Sequence, residues 1–299
     1  MKRLLLCIAA IGLAPGCGGG GGGGGDGAAK ADGGTPEVKL PTAYVGDKEP
    51  GTPADYASCM ADPAGPAMDT VVMGKIIDFQ DDNIVVDAAI KVFAKVEDVP
   101  AKPLAMTKSD KSGLFTITIP KGAPYRLIWS NEGGKAITSN GNPVDTIPTY
   151  EFNQRFDDKE RVGVKEATRE AIPGLVSVIP DKALGVLAGS VRDCKSKEVG
   201  GARVKVAATA GAFDADALTF YFSKVGGSTL PTRTQKYTSG ANGTFATLNI
   251  PAPGTGSVEA YGVVGGGEPK LIGKATVPVQ PGAITIVEVV PCAVNKACP

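Results

Sequence analysis

Six cysteines, no histidine and a few clustered carboxylates set what chemistry this 299-residue chain can do. Without histidine there is no Ser-His-Asp or Cys-His triad, no HExxH-type zinc site and no imidazole general base. Two-carboxylate or Ser-Lys hydrolysis stays chemically open, but no motif frames a pocket for either. The expectation is no catalytic residue and no enzyme. Cys7 and Cys17 lie at the N-terminus; Cys59, Cys194, Cys292 and Cys298 form an even set without CxxC spacing. Such a set favours disulfides over a zinc cluster and allows three connectivities. The stretch "DFQDDN" (Asp78, Asp81, Asp82, Asn83) carries oxygens that calcium could use, as does "FDADAL" at 213–218. Neither follows the D-x-D-x-D-G order of a calcium loop, so both read as solvated turns. No metal and no cofactor is expected. Tyr125, Trp129, Tyr221, Tyr237 and Tyr261 are the rings a sugar platform would need; with one Trp in the chain, core or edge packing explains them better.

The N-terminus reads as a targeting segment. Lys2 and Arg3 precede an apolar run over residues 4–13, of secretory length and too short to span a bilayer. Cys17 follows, with Gly16 before it and Ala14 two residues further back. This resembles a bacterial lipoprotein signal, which implies acylation of Cys17 after cleavage and a membrane partner through the lipid. Two or three acyl chains would hold firmly where one holds marginally. Residues 18–25 are all glycine, and the chain to residue 66 stays rich in Gly, Pro and charge. Residues 18–66 therefore read as a disordered tether; as a coil, residues 18–55 would reach on the order of 30–40 Å.

The remaining chain is patterned for strands. Lysine plus arginine equals aspartate plus glutamate, 31 each, so the net charge is zero and nothing favours nucleic acid. Phe115, Ile117 and Ile119 alternate with threonines, and Ile90, Val92, Ala94 and Val96 are likewise spaced by two. Val204 and Val206, Phe220 and Phe222, and Ile284 and Ile286 continue the pattern. Gly, Asn, Asp and Pro clusters separate these runs.

Two halves of the chain repeat one another. Gly74 and Asp78 correspond to Gly189 and Asp193; Ala89 and Val92 correspond to Ala202 and Lys205 or Val206; Thr107, Gly113, Phe115 and Pro120 correspond to Thr238, Gly243, Phe245 and Pro251. The aspartates would cap turns, the glycines would take positive φ, and the phenylalanines would anchor a core. The stretches "GKIIDF…DAAIKVF…TKSDKSGLFTITIPKGAPYRL" and "GSVRDC…GGARVKV…TSGANGTFATLNIPAPG" resemble the carboxypeptidase regulatory-like domain. That resemblance implies an all-β chain with two tandem transthyretin-like, immunoglobulin-like β-sandwiches, at residues 67–155 and 185–299. Asp87-Ala88-Ala89 stands where that pattern usually has Gly-Ala.

Residues 156–184 form the connector. Val164, Ala167, Ala171 and Leu175 have helical spacing, suggesting a short helix over about 163–172 that Pro173 kinks or ends. In a sandwich the first and last strands can end together, so Cys194 and Cys292 are the expected disulfide. The functional expectation is a non-catalytic, lipid-anchored protein of the cell envelope, at a Gram-negative outer membrane. It would display two sandwiches in a structural, adhesive or ligand-binding role, to a protein or glycan partner that the sequence does not name. The alternative is a carbohydrate- or polysaccharide-binding accessory protein.

Overall fold

The computed structural model describes residues 38–47, 49–56, 67–122, 127–153, 160–225, 228–240 and 242–290. Cys17, Cys59, Cys292, Cys298 and Tyr125 lie outside the described residues, as do residues 18–37 of the tether. The described chain is mostly strand, which agrees with the all-β expectation.

Two short strands come first, β1 (Tyr44–Val45) and β2 (Thr52–Pro53). The first sandwich holds β3 (Thr70–Asp78), β4 (Val85–Val86), β5 (Ala89–Phe93), β6 (Ala105–Lys108), β7 (Leu114–Ile119), β8 (Leu127–Glu132), β9 (Lys135–Ile137), β10 (Pro143–Ile147), β11 (Thr149–Asn153) and β12 (Glu160–Lys165). Helix α1 (Glu166–Leu175) follows. The second sandwich holds β13 (Gly185–Val191), β14 (Val199–Gly200), β15 (Arg203–Ala208), a single turn α2 (Ala215–Leu218), β16 (Thr219–Val225), β17 (Ser228–Thr232), β18 (Thr244–Ile250), β19 (Gly254–Gly262), β20 (Lys270–Val279) and β21 (Ile284–Val289).

One nine-stranded sheet runs through both sandwiches in the order β17-β16-β18-β13-β21-β11-β8-β5-β6. The first sandwich closes against the six-stranded sheet β4-β9-β10-β12-β3-β7, and the second against the three-stranded sheet β15-β19-β20. The seam is a parallel pairing of β11 with β21, Thr149↔Ile284 through Phe152↔Val287. Side-chain alternation on the strands near it divides the two cores. Ile90 and Val92 of β5 pack with Val72, Ile76, Phe115, Ile117 and Trp129 in the first core. Phe93 of β5, with Tyr150 and Phe152 of β11, joins Leu187, Phe245, Val277 and Val287 in the second. A core shared in this way makes the pair one body rather than two beads.

Each sandwich also pairs its first and last strands in parallel. In the first, β12 runs beside β3 with Gly163 opposite Asp78. In the second, β21 runs beside β13 with Val191 opposite Val289. Gly189 of β13 needs its bare Cα there, because a Cβ would lie 2.0 Å from the Val287 carbonyl oxygen.

Two segments differ from the sequence reading. Residues 160–165, placed above in the connector and partly in its helix, form β12; Val164 is buried in a small cluster with Ile147 and Ile284, and helix begins only at Glu166. Pro173 lies inside α1, in its last turn, where the helix continues to Leu175. Residues 40–47 and 49–56, placed above in the tether, lie on the second sandwich, with Leu40, Ala43, Tyr44 and Tyr56 buried. Tyr44 and Val45 pair antiparallel with Gly200 and Val199.

Candidate functional site

The carboxylates that looked most able to do chemistry are built into turns. Asp78 ends β3, is fully buried, and accepts a hydrogen bond through Oδ1 from Gln80 N at 2.9 Å. The Lys165 ammonium lies 3.5 Å from the same oxygen and also pairs with Asp81. Burial pushes the Asp78 carboxyl up, against the pull of the Gln80 N–H and Lys165. Burial acts the same way on Asp81, but the Lys165 ammonium and the Asn83 N–H outweigh it and hold that carboxyl below its ordinary range. Thr168 of α1 donates to Gln80 Oε1 at 2.6 Å. The "DFQDDN" turn therefore clasps the end of β12 and the start of α1, using a lysine where a cation site would hold an ion.

Asp193 occupies the equivalent place in the second sandwich and accepts more bonds. Its Oδ1 takes the Lys195 N–H at 2.9 Å and the Lys197 N–H at 2.8 Å, while Oδ2 takes the Asp55 N–H at 3.2 Å. Cys194 N donates to the Asp55 carbonyl at 2.8 Å, and Lys195 Nζ lies 3.2 Å from Asp55 Oδ2. Tyr56 is buried in the second core, where burial first and the Asp193 charge second push its hydroxyl well above the ordinary range. Cys194 is disulfide-bonded.

A hydroxyl latch recurs in both copies. Ser109 Oγ accepts from Ala88 N at 2.9 Å and donates to the Val85 carbonyl at 2.8 Å. Thr238 Oγ1 accepts from Ala202 N at 3.0 Å and donates to the Val199 carbonyl at 2.6 Å. Ser109, not Thr107, is thus the counterpart of Thr238, and Ala88, not Ala89, that of Ala202. Asp87 then matches Gly201, and both have positive φ, 54° and 79°. Aspartate is among the few residues that take that conformation at modest cost. The remaining pairs align as read. Gly74 faces Phe115 and Gly189 faces Phe245. Ile76 N bonds Gly113 O at 2.8 Å and Val191 N bonds Gly243 O at 2.9 Å, with φ of 74° and 56° at the glycines.

The aromatic candidates are mostly structural. Trp129 is buried, edge-on to Phe115 at 5.6 Å, with the Arg161 guanidinium 5.3 Å from its ring. Arg161 is itself buried and 3.9 Å from Glu151, which β11 aims into the first sandwich. These groups line a cavity of about 10 Å³, room for a single water molecule. Tyr221 spans the two sheets of the second sandwich: Val204 N donates to its hydroxyl at 2.8 Å, and burial pushes that hydroxyl up to about 12. Tyr237 is half-buried. Tyr261 is also half-buried, on the outer face of the three-stranded sheet, where it donates to Glu259 at 2.7 Å and carries Lys205 5.1 Å from its ring. In "FDADAL", Asp214 caps α2 by accepting from Ala217 N at 3.0 Å, and Asp216 pairs with Arg203 at 3.1 Å. Among the described residues no group of three or more metal-ligating side chains occurs, and no helix is long and apolar enough to cross a membrane.

Sequence reasoning missed the buried Arg161–Glu151 pair and the docking of residues 40–56. The signal for the second was present: Tyr44 and Tyr56 are two aromatics in a segment otherwise poor in large apolar residues.

No known protein family matches the chain, and no curated relative does. Among solved structures, the chain is similar to the shaft pilin SpaA from Lactobacillus rhamnosus GG at 9% identity and a TM-score of 0.22, over 78% of this chain and 100% of that one. It is similar to a streptococcal ancillary pilin at 16% identity and 0.21, over 75% and 62%. It is also similar to the group B streptococcus pilus 2b backbone protein at 15% and 0.19, over 78% and 97%.

Proposed function

We propose that this chain is a non-catalytic, lipid-anchored display protein of the cell envelope, with structural or adhesive work done by a rigid pair of sandwiches. The observation that carries this reading is the nine-stranded sheet shared by both sandwiches, which suits a stiff body held off a surface rather than a hinged pocket. The polar clusters are consistent with it. Asp78, Asp193, Ser109 and Thr238 serve backbone amides, and the cavity beside Trp129 and Arg161 admits no more than a water. Acylated Cys17 would supply the anchor and residues 18–37 the spacer, at the outer membrane in the fullest form of the proposal. The sandwiches would be carboxypeptidase regulatory-like domains.

Mass spectrometry of the mature N-terminus tests the anchor. The expected result is a chain beginning at acylated Cys17, with Cys17→Ser moving the protein from the membrane to the soluble fraction. An unmodified N-terminus at any other residue would remove the lipid from this account.

A further inference from the structure

We propose that residues 40–56 are a load-bearing latch, which passes tension arriving along the N-terminal chain into the second sandwich and keeps it off β3, where the first begins. Chain order alone would do the opposite, because the next element among the described residues is β3 of the first sandwich. The contacts reverse that order. Ala43 N donates to Val263 O at 2.8 Å, and β1 pairs with β14. The Tyr44 ring fills a notch floored by two glycines; a Cβ on Gly200 or on Gly240 would each lie 2.5 Å from ring atoms. At its far end the segment is held by Asp55, whose N–H and C=O bond Asp193 and Cys194. A side chain in a fitted notch at one end and a charge-assisted backbone bond at the other make two successive holds.

The exit from the second sandwich suits the same role. β21 lies between β13 and β11, parallel to both. A pull along its axis loads the bonds on both flanks together, in shear, whereas peeling an edge strand breaks them one at a time. Entry and exit of the load thus meet on the second sandwich, and the first, with its exposed Val71, Met73 and Met106, meets it only at β11, beside the exit strand. The source of tension rests on the membrane attachment proposed above; the routing does not.

The test is optical-tweezers stretching of the oxidised chain from residue 18 to residue 299, with a handle at each end. The expected first event is short, about 50 Å for some fifteen residues at ~3.4 Å each, followed by larger extension from the first sandwich, since a Cys194–Cys292 bond would close most of the second into a loop. Tyr44→Ala and Asp55→Pro, which removes the N–H that Asp193 accepts, should each lower the force of that short event and leave the larger extension in place. A first step of about 280 Å, the extension of a whole sandwich of ~85 residues, would overturn the proposal. So would a short event that both variants leave unchanged. Hydrogen exchange on the unaltered protein needs no variant: the Ala43 amide should exchange at least ~100-fold more slowly than open chain, and exchange at the open-chain rate would end the idea. A mature N-terminus without lipid would sink the anchor and leave these outcomes untouched.

Discussion

The two sandwiches use one local plan for different ends. In each, an aspartate at or just past the end of a strand caps the following turn, a hydroxyl latch fixes the next bend, and a phenylalanine returns into the core opposite a glycine. Around that plan the surroundings diverge. Asp78 is closed over by Lys165 from the last strand of its own sandwich, so the first copy is tied to itself. Asp193 receives the backbone of residue 55, from a distant part of the chain, so the second copy gathers the strap formed by residues 40–56, the Cys194 disulfide and, through β21, the seam with its neighbour. One turn, repeated, has become a clasp in one place and a junction in the other. A buried carboxylate can satisfy a lysine or several amides, and which it meets depends on tertiary partners.

Asp193→Ala removes the acceptor of three backbone N–H groups and should cost about 4 kcal/mol in urea unfolding, against about 2–3 kcal/mol for Asp78→Ala, which loses one N–H and one ammonium. Equal costs would mean that the junction is no more than a turn. Reduction of the Cys194 disulfide should cost about 2–4 kcal/mol. We expect Cys292 as its partner. The parallel register ends at Val191↔Val289, three residues before each cysteine in the sequence. A non-reducing peptide map joining Cys194 to Cys59 would contradict that pairing and place the bond in the strap.

Alkaline pH should act next. Tyr150 and Tyr221 have hydroxyls pushed up to about 12, chiefly by burial, so their neutral forms favour the folded state. The sign follows from linkage: this stability is complete below pH 10, where the unfolded tyrosines are still neutral, and is lost as pH rises towards 12. Tyr221→Phe should flatten part of that loss; an unchanged alkaline limb would contradict it. The smallest effect is a swap at the bend. Asp87→Gly should stabilise by about 0.5–1 kcal/mol, and Gly201→Asp should destabilise by a similar amount. Gly201 also approaches Pro41 of the strap, so a much larger loss there would show that the strap, not φ, sets the cost.

Much of the plan was legible before the structure. Gly74, Asp78, Gly113 and Phe115 align with Gly189, Asp193, Gly243 and Phe245 because each is fixed by local physics: a positive φ, a turn cap, a buried ring. The latch was misaligned by two residues because serine and threonine do the same bonding, and the eye follows the identical letter. The helical spacing of Ala167, Ala171 and Leu175 does fall in α1, but Val164, in step with them, is drawn into β12 by Ile147 and Ile284, and that burial is not local information. The seam between β11 and β21 was not readable. It joins residues 149–152 to 284–287, and no local pattern encodes which strand edge will meet another. The strap was missed because few apolar residues mark it; two tyrosines dock what composition calls a linker.

The central claim is that the sandwiches form one body, and the lone tryptophan offers the most direct test. Trp129 lies in the first core, and Leu187 lies fully buried in the second. Leu187→Ala should cost about 3 kcal/mol. If the seam couples the cores, the urea transition seen by Trp129 fluorescence shifts down with the far-ultraviolet dichroism, as one coincident unfolding. A Trp129 transition that stays at its wild-type midpoint while the dichroism splits in two would contradict the account.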